Sequence, residues 1–216
     1  MNGAFLQDRL YFGAGRAAAR IGLPCDLYRP GGPNHPTAPA HRRLQLNAIF
    51  LPPGGRIRRP VPATDPLWEA ALDAAYTKPG DILIRKSDGA VFFIAAQQPL
   101  LPVLCVHAPR RVTIARPASA SFAGLNLYGG AVTATDSILA RDWPASILAA
   151  GSQGTGLANI EAELNPGTWQ VLLPPSLSLA LLTSDTITDD QGRIGVIATI
   201  ETTEIGARLT VKQAST

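Results

Sequence analysis

The stretch "DTITDDQGRIGVIATIETTEIGARLTV" (residues 185–211) decides the fold class, and it has an earlier echo in "DILIRKSDGAVFFIAAQQPLLPVLCV" (residues 81–106). Each reads as a strand, a tight turn, a second strand, a loop and a third strand. Each opens on an Asp preceded by a small residue, Gly80 or Ser184. Each carries a turn glycine, Gly89 or Gly192, one or two residues after an Asp, which favours such turns through side-chain bonds to its own backbone. Each places an Ile-Ala pair five residues further on, Ile94–Ala95 and Ile197–Ala198, and then a polar residue at one offset, Gln98 and Glu201. Each closes on an apolar strand residue 17 positions past the glycine, Val106 and Leu209, once a single gap is allowed. The two stretches describe one recurring three-stranded unit.

Outward from these units the chain stays mainly β. "CDLYRP", "VLCVHA", "RVTIAR" and "TWQVLLP" read as strands, and Leu44, Leu46, Ile49 and Leu51 suggest one more. Residues 5–21 place Leu6, Leu10, Ala14, Ala17 and Ile21 near one helical stripe. Residues 65–76, "DPLWEAALDAAY", predict a helix, with Asp65 as cap, Pro66 at its first position and Trp68, Ala71, Leu72, Ala75 and Tyr76 on one face. Residues 30–64 hold eight prolines and read as an extended Pro/Arg-rich arm. The expected class is mainly β (α+β): two related small antiparallel units, barrel-like or sandwich-like, with an N-terminal helix and an extended arm. The expected organisation is 1–78 for helix, arm and short helix, 79–116 for the first β unit, 117–166 for linker and loop, and 167–216 for the second β unit.

Composition supports a folded chain with a modest polar surface. Hydrophobic residues are 46% of 216 and charged residues only 16%, against about 25% charged in an average soluble domain. Residues 1–116 carry 15 Lys and Arg against 7 Asp and Glu, whereas residues 117–216 carry 4 against 9. Blocks of opposite sign suit head-to-tail contacts between subunits. The two cysteines, Cys25 and Cys105, lack metal or redox spacing and are expected as buried free thiols. No secretory leader and no membrane-spanning apolar run is visible, so synthesis in a cytoplasm is expected.

Catalytic patterns are not found. "GSQGTG" (residues 151–156) has no Lys between Lys86 and Lys212 to reach a phosphate and reads as a flexible loop. Asp189 and Asp190 precede Gly192 as turn residues, and Glu201 and Glu204 fall in a solvated loop; neither pair reads as a converging acid pair. His35, His41 and His107 form no metal-ligating pattern, and Cys105 and His107 on one strand do not make a dyad. The expectation is no enzyme, no cofactor and no metal site. The basic pieces at His41–Arg43, Arg56–Arg59 and Pro109–Val112 suit either nucleic-acid phosphates or an acidic protein neighbour.

Three pieces carry a resemblance: "YRPGGPNHP" (28–36), "AYTKPGDILIRKSDGAVFFIAAQQPLLPVLCV" (75–106) and "LTSDTITDDQGRIGVIATIETTEIGARLTV" (182–211). Together they resemble an uncharacterised proteobacterial (pro)phage virion protein family. The closing pattern D-x-(I/V)-x-D-x-x-G-R, followed by strand, acidic loop and strand, is also similar to head-completion and neck proteins of tailed phages. That second family more often has an aromatic residue where this chain has Gly195. The resemblance implies a structural virion protein: a head-tail connector ring subunit between portal and tail, built as a β-barrel. It implies partners among its own copies, portal or adaptor and tail proteins, contact with packaged DNA, no membrane, and a place in the virion. A tail or baseplate component stays open, as does, in a different class, a β-domain enzyme or ligand-binding protein. Charge alone nominates Arg56, Arg58 and Arg59 against Asp189, Asp190, Glu201 and Glu204 as assembly contacts.

Overall fold

In the computed structural model the residues described are 3–52, 66–118, 136–149 and 167–214. A helix, α1 (Gly3–Ile21), precedes twelve strands. These are β1 (Leu23–Tyr28), β2 (Arg42–Leu51), β3 (Leu67–Ala71), β4 (Ile82–Arg85), β5 (Val91–Ala96) and β6 (Val103–His107), then β7 (Arg110–Arg116), β8 (Ser137–Ala149), β9 (Thr168–Leu173), β10 (Thr186–Asp189), β11 (Ile194–Thr203) and β12 (Gly206–Gln213). The protein is mainly β, as its periodicity predicts. The first six strands close into an antiparallel barrel in the order β1-β2-β3-β6-β5-β4, and the second six close in the order β10-β11-β12-β9-β8-β7. Counted from the first strand of each, the two orders are the same. One six-stranded topology therefore occurs twice, and closure leaves neither copy a free sheet edge.

Alternation along each strand builds two separate cores. In the first barrel Cys25, Leu27, Leu83, Phe92, Ile94 and Cys105 point inward. In the second barrel Val112, Ile114, Trp143, Val171, Ile197 and Val211 do the same. Burying each such side chain stabilises the fold by about 1.5–3 kcal/mol. The Ile-Ala pairs mark one irregularity repeated in both barrels: register shifts between Ile94 and Ala96 in β5, and between Ile197 and Thr199 in β11. The extra residue bends the strand there, as barrel closure requires.

The repeat extends well beyond the two quoted stretches. Asp81 accepts Arg29 Nε and Nη2 at 2.8 and 2.6 Å and the Lys78 amide at 3.0 Å, while Arg29 also reaches the Tyr76 carbonyl. Asp185 accepts Arg116 Nε and Nη2 at 2.8 and 3.0 Å and the Leu182 amide at 2.8 Å, while Arg116 also reaches the Ala180 carbonyl. The bonds are the same, and the backbone partners lie three and five residues before the Asp in both, while the Arg is 52 residues before Asp81 and 69 before Asp185. The small residue before each Asp has a positive φ, +91° at Gly80 and +113° at Ser184. The Asp that begins each unit is thus a buried anchor for an Arg just past β1 or at the end of β7.

Four expectations change. Residues 65–76 are not a helix: β3 runs between β2 and β6, followed by a short 3-10 turn at Ala74–Tyr76. Ala70 and Leu72 are buried in the first core, so alternate burial and barrel closure override local helix propensity. The β units do not start at 79 and 167, because β1–β3 complete the first barrel, while β7 and β8 join the second. The region 117–166 therefore contains a 13-residue strand, β8, rather than only linker, and the loop at 151–156 lies outside the described residues. The closing residues pair differently: Ile94 faces Cys105 and Ile197 faces Val211, so Cys105 matches Val211, not Val106 with Leu209. The β11–β12 hairpin is longer, and the single gap falls there.

The arm is also resolved into parts. Residues 42–51 are β2, and residues 53–65 are outside the described set. The segment ahead of β2 lies on the second barrel of its own chain. Arg141 N donates to the Pro33 carbonyl, His35 N donates to the Arg141 carbonyl, and Trp143 Nε1 donates to the Pro33 carbonyl.

Candidate assembly surfaces

The barrels pack one way round. Antiparallel register sets Tyr28 opposite Ile82, Ile82 opposite Phe93, Phe93 opposite Val106 and Val106 opposite Leu67. Paired residues share a face, so these five form one lateral row on the outside of the first barrel. Leu172 of β9 packs into this cluster, and Ile82, Phe93 and Val106 are almost wholly buried. The Ser176 hydroxyl donates to the Gly80 carbonyl at 2.8 Å, and a Cβ at Gly80 would stand 2.5 Å from that of Ser176. Between the barrels, Phe93 and Val106 face Leu172, Ile205 and Arg208 across an apolar cavity of about 240 Å³.

Among the described residues no other element covers the same row on the second barrel. Its members are Ala115, Thr186, Val196, Lys212 and Thr168, in matching register. Val196 is 37% exposed where its counterpart Phe93 is 1% exposed. Ile194 and Ile138 beside it are exposed as well. The opposite side of each barrel, on β2–β3 and on β8–β9, is covered. On the second barrel the cover is β5 and β6 of the first; on the first barrel it is α1.

Helix α1 rests on small residues. Ala14, Gly15 and Ala18 face the barrel with Gln7 and Tyr11, and a Cβ at Gly15 would lie 3.0 Å from that of Asp73. Gln97 Nε2 donates to Tyr11 Oη at 3.2 Å, and the Leu100 amide donates to Gln7 Oε1 at 2.6 Å. The predicted stripe only partly faces inward: Leu6, Leu10 and Ile21 are exposed, together with Phe5 and Phe12. Arg9 and Arg16 stack over the Phe5 and Phe12 rings. Among the described residues no helix is long and apolar enough to cross a membrane.

The nominated charges are not brought together. Arg56, Arg58 and Arg59 lie outside the described residues. Asp189 has no side-chain exposure and is bonded within its own barrel. Its carboxylate takes Arg193 Nε at 2.7 Å, Arg110 Nη2 at 3.0 Å and the amides of Gln191 and Arg193 at 2.9 Å. Burial pushes this carboxyl up, but the Arg193 amide and guanidinium and the Gln191 amide outweigh it and hold the group below its ordinary value. Asp189 is a turn anchor and not a contact for a neighbour. Asp190 is exposed but also holds Arg110, at 2.6 Å. Glu201 lies in β11 rather than in a loop, exposed and 3.9 Å from Arg208, while Glu204 is in the exposed hairpin turn. Arg110, Arg111 and Arg116 belong to the second barrel, where they neutralise Asp189, Asp190, Asp142 and Asp185. Dividing the chain between the barrels, before Arg110, leaves 12 Lys and Arg against 7 Asp and Glu in the first part and 7 against 9 in the second, so the opposed charge blocks shrink without vanishing.

No reactive cluster emerges at the histidines or cysteines. Among the described residues no group of three His, Cys, Asp or Glu side chains is placed to hold a metal. His107 sits against the Phe92 ring, 5.0 Å between centroids, and burial, then the nearby Arg85 charge, lower its pKa. Cys25 and Cys105 are free and buried inside the first barrel, with burial pushing the Cys25 thiol up to about 11 and Cys105 further. Gly195 matches Phe92 of the first barrel in register. A Cβ there would meet Val211 at 2.4 Å and the Trp169 ring at 3.3 Å, so Trp169 fills the space an aromatic would take. Comparison with family models, with curated proteins and with solved structures finds no match to this chain.

The sequence pointed to acids and arginines as contacts. Among the described residues the exposed surfaces that stand out are instead an apolar side of α1 and a row of mixed polarity on the second barrel. Only the excess of apolar residues in 5–21 over those a single buried stripe needs was visible beforehand.

Proposed function

We propose that this chain is a structural subunit of a tailed-phage particle, serving at the head-to-tail neck as one member of a ring between portal and tail. The observation that carries the reading is the one-way packing of two copies of a single barrel. A unit that buries one face against the opposite face of its neighbour has a heterologous contact, and heterologous contacts build rings or filaments when they continue between chains. The sequence resemblance to virion and neck proteins points to the same class. Under this reading the work is mechanical: closed barrels resist edge-to-edge aggregation, and the uncovered faces join only when partners are present.

Contact with packaged DNA rests on few residues. Arg42 is bonded to Asp26 at 2.7 Å, and Arg110 and Arg111 are held by acids of their own barrel. Arg43, which is exposed, and the arginines at 56–59 remain for that role. The test is deletion of the gene from a phage that carries it. Filled heads and complete but unjoined tails are expected, with joining restored by the purified protein. Joined, infectious particles in its absence overturn the proposal. Defective tails or baseplates beside normal necks place the protein in the tail instead.

A further inference from the structure

The two barrels differ in which of their matching faces is covered within the chain. The row Tyr28, Ile82, Phe93, Val106 and Leu67 is buried by the second barrel, whereas its counterpart Ala115, Thr186, Val196, Lys212 and Thr168 is covered by no other element among the described residues and exposes Val196 and Lys212. At the other end of the molecule, α1 occupies on the first barrel the side that the first barrel occupies on the second. The order is therefore helix, barrel, barrel, open row, each piece seated on the same side of the next.

We propose that α1 of one protomer docks on the open row of a second copy, continuing the internal packing from chain to chain. This inference rests on the ring-subunit reading and names its contact. Three features fit α1 to the row. The row carries Ala115, Thr186 and Val196 where the first barrel carries Tyr28, Ile82 and Phe93, so its side chains are smaller and leave room for protruding rings. The helix presents such rings: Phe5 and Phe12 flank a shallow concavity with Asp8 and Arg9 and are 54% and 60% exposed. Asp8 lies between the two phenylalanines and gives Lys212, which stands where Val106 stands in the covered row, an acid to meet, while Arg9 and Arg16 are drawn over the Phe5 and Phe12 rings. A row with Ile138, Ile194 and Val196 among threonines and a lysine has the mixed polarity of a contact made and released, not of a permanent core.

The test uses the purified full chain in sedimentation velocity across a wide concentration range. The wild type is expected to form species at successive multiples of the monomer mass, closing at one ring size or growing openly. Val196→Glu and Phe12→Glu each remove one half of the contact and are expected to weaken self-association more than tenfold. Both side chains are exposed, so the fold should survive; circular dichroism checks this, with Thr186→Arg and Phe5→Glu as second variants. The decisive sample is the mixture. The Val196→Glu chain keeps an intact helix and the Phe12→Glu chain an intact row, so an equimolar mixture is expected to form a one-to-one dimer and nothing larger. Four results overturn the inference: a wild type that stays monomeric throughout, a Val196→Glu protein that assembles normally, a mixture that stays monomeric, or a helix that binds anionic lipid vesicles in place of the row. Self-association of this pattern in a protein dispensable for head-to-tail joining would sustain the contact while sinking the neck assignment. A neck location with monomeric chains in solution and in the mixture would do the reverse.

Discussion

Replacing Asp185 by Asn tests the central structural claim, that a buried Asp at the same place in each barrel anchors an Arg. The Asp185 carboxylate has no exposure and accepts three bonds of 2.8–3.0 Å, two from Arg116 and one from the Leu182 amide. Asn keeps the shape but removes the charge and turns an amide group toward donors. Breaking a buried ion pair costs about 3–5 kcal/mol. The Arg116 side chain is 36% exposed and retains the Ala180 carbonyl, so water recovers part of that cost. The expected loss is then about 2–3 kcal/mol. Asp81→Asn should cost a similar amount, because Asp81 makes the same bonds to Arg29, whose side chain is 30% exposed. Urea unfolding followed by fluorescence and circular dichroism measures both, and a double-mutant cycle with Arg116→Met isolates the pair. A loss below about 0.5 kcal/mol at either site, as for an ordinary surface change, would refute the reasoning.

Further outcomes follow from the same geometry. Ser184 is a non-glycine residue at φ +113°, so Ser184→Gly should stabilise the protein by about 1 kcal/mol, whereas Gly80→Ala, which drives a Cβ to 2.5 Å from that of Ser176, should destabilise it; thermal melts of the two variants give the signs. Asp185 and Asp189 are held below the ordinary carboxyl value of 3.8 when folded, so the stability they contribute is present above about pH 4 and lost as pH falls through the lowered folded values. Unfolding curves between pH 2 and about pH 6 should show this limb flattened in Asp189→Asn, and an unchanged limb counts against it. Cys25 and Cys105 should resist a thiol reagent in the native state and release two thiols on unfolding, in keeping with raised pKa values and burial; rapid native labelling would contradict their placement. Phe93→Ala truncates the centre of the inter-barrel contact and should cost about 3–5 kcal/mol, splitting a single calorimetric transition into two. A single transition at the wild-type temperature would show that the barrels are not coupled there.

The local signals read from the chain are those with short-range physical causes. Asp just ahead of a turn glycine, alternation of apolar residues, and an Ile-Ala pair at one offset after the turn all act within a few residues, so they marked β4–β5 and β10–β11 and their kinship correctly. The same signals misplaced residues 65–76, where Trp68, Ala70 and Leu72 satisfy a strand period as readily as Trp68, Ala71, Leu72 and Ala75 satisfy a helical one. Local propensity favoured the helix, and the vacancy between β2 and β6 decided for the strand. Assembly contacts were hardest to read, because an exposed charge and a charge buried against its partner look alike in one dimension. Asp189 and Arg110 are 79 positions apart and meet only because β7 pairs with β10.

By itself, then, the sequence determined a mainly β chain with one three-stranded unit used twice, since turn chemistry and strand periodicity are local properties. Tertiary structure alone decided that each unit is half of a closed barrel, that Asp81 and Asp185 serve as equivalent anchors, and that one barrel's outer row buries Phe93 while its twin's exposes Val196. Those outcomes depend on pairings between distant segments and on which apolar faces find cover, and both arise only when the whole chain competes for burial.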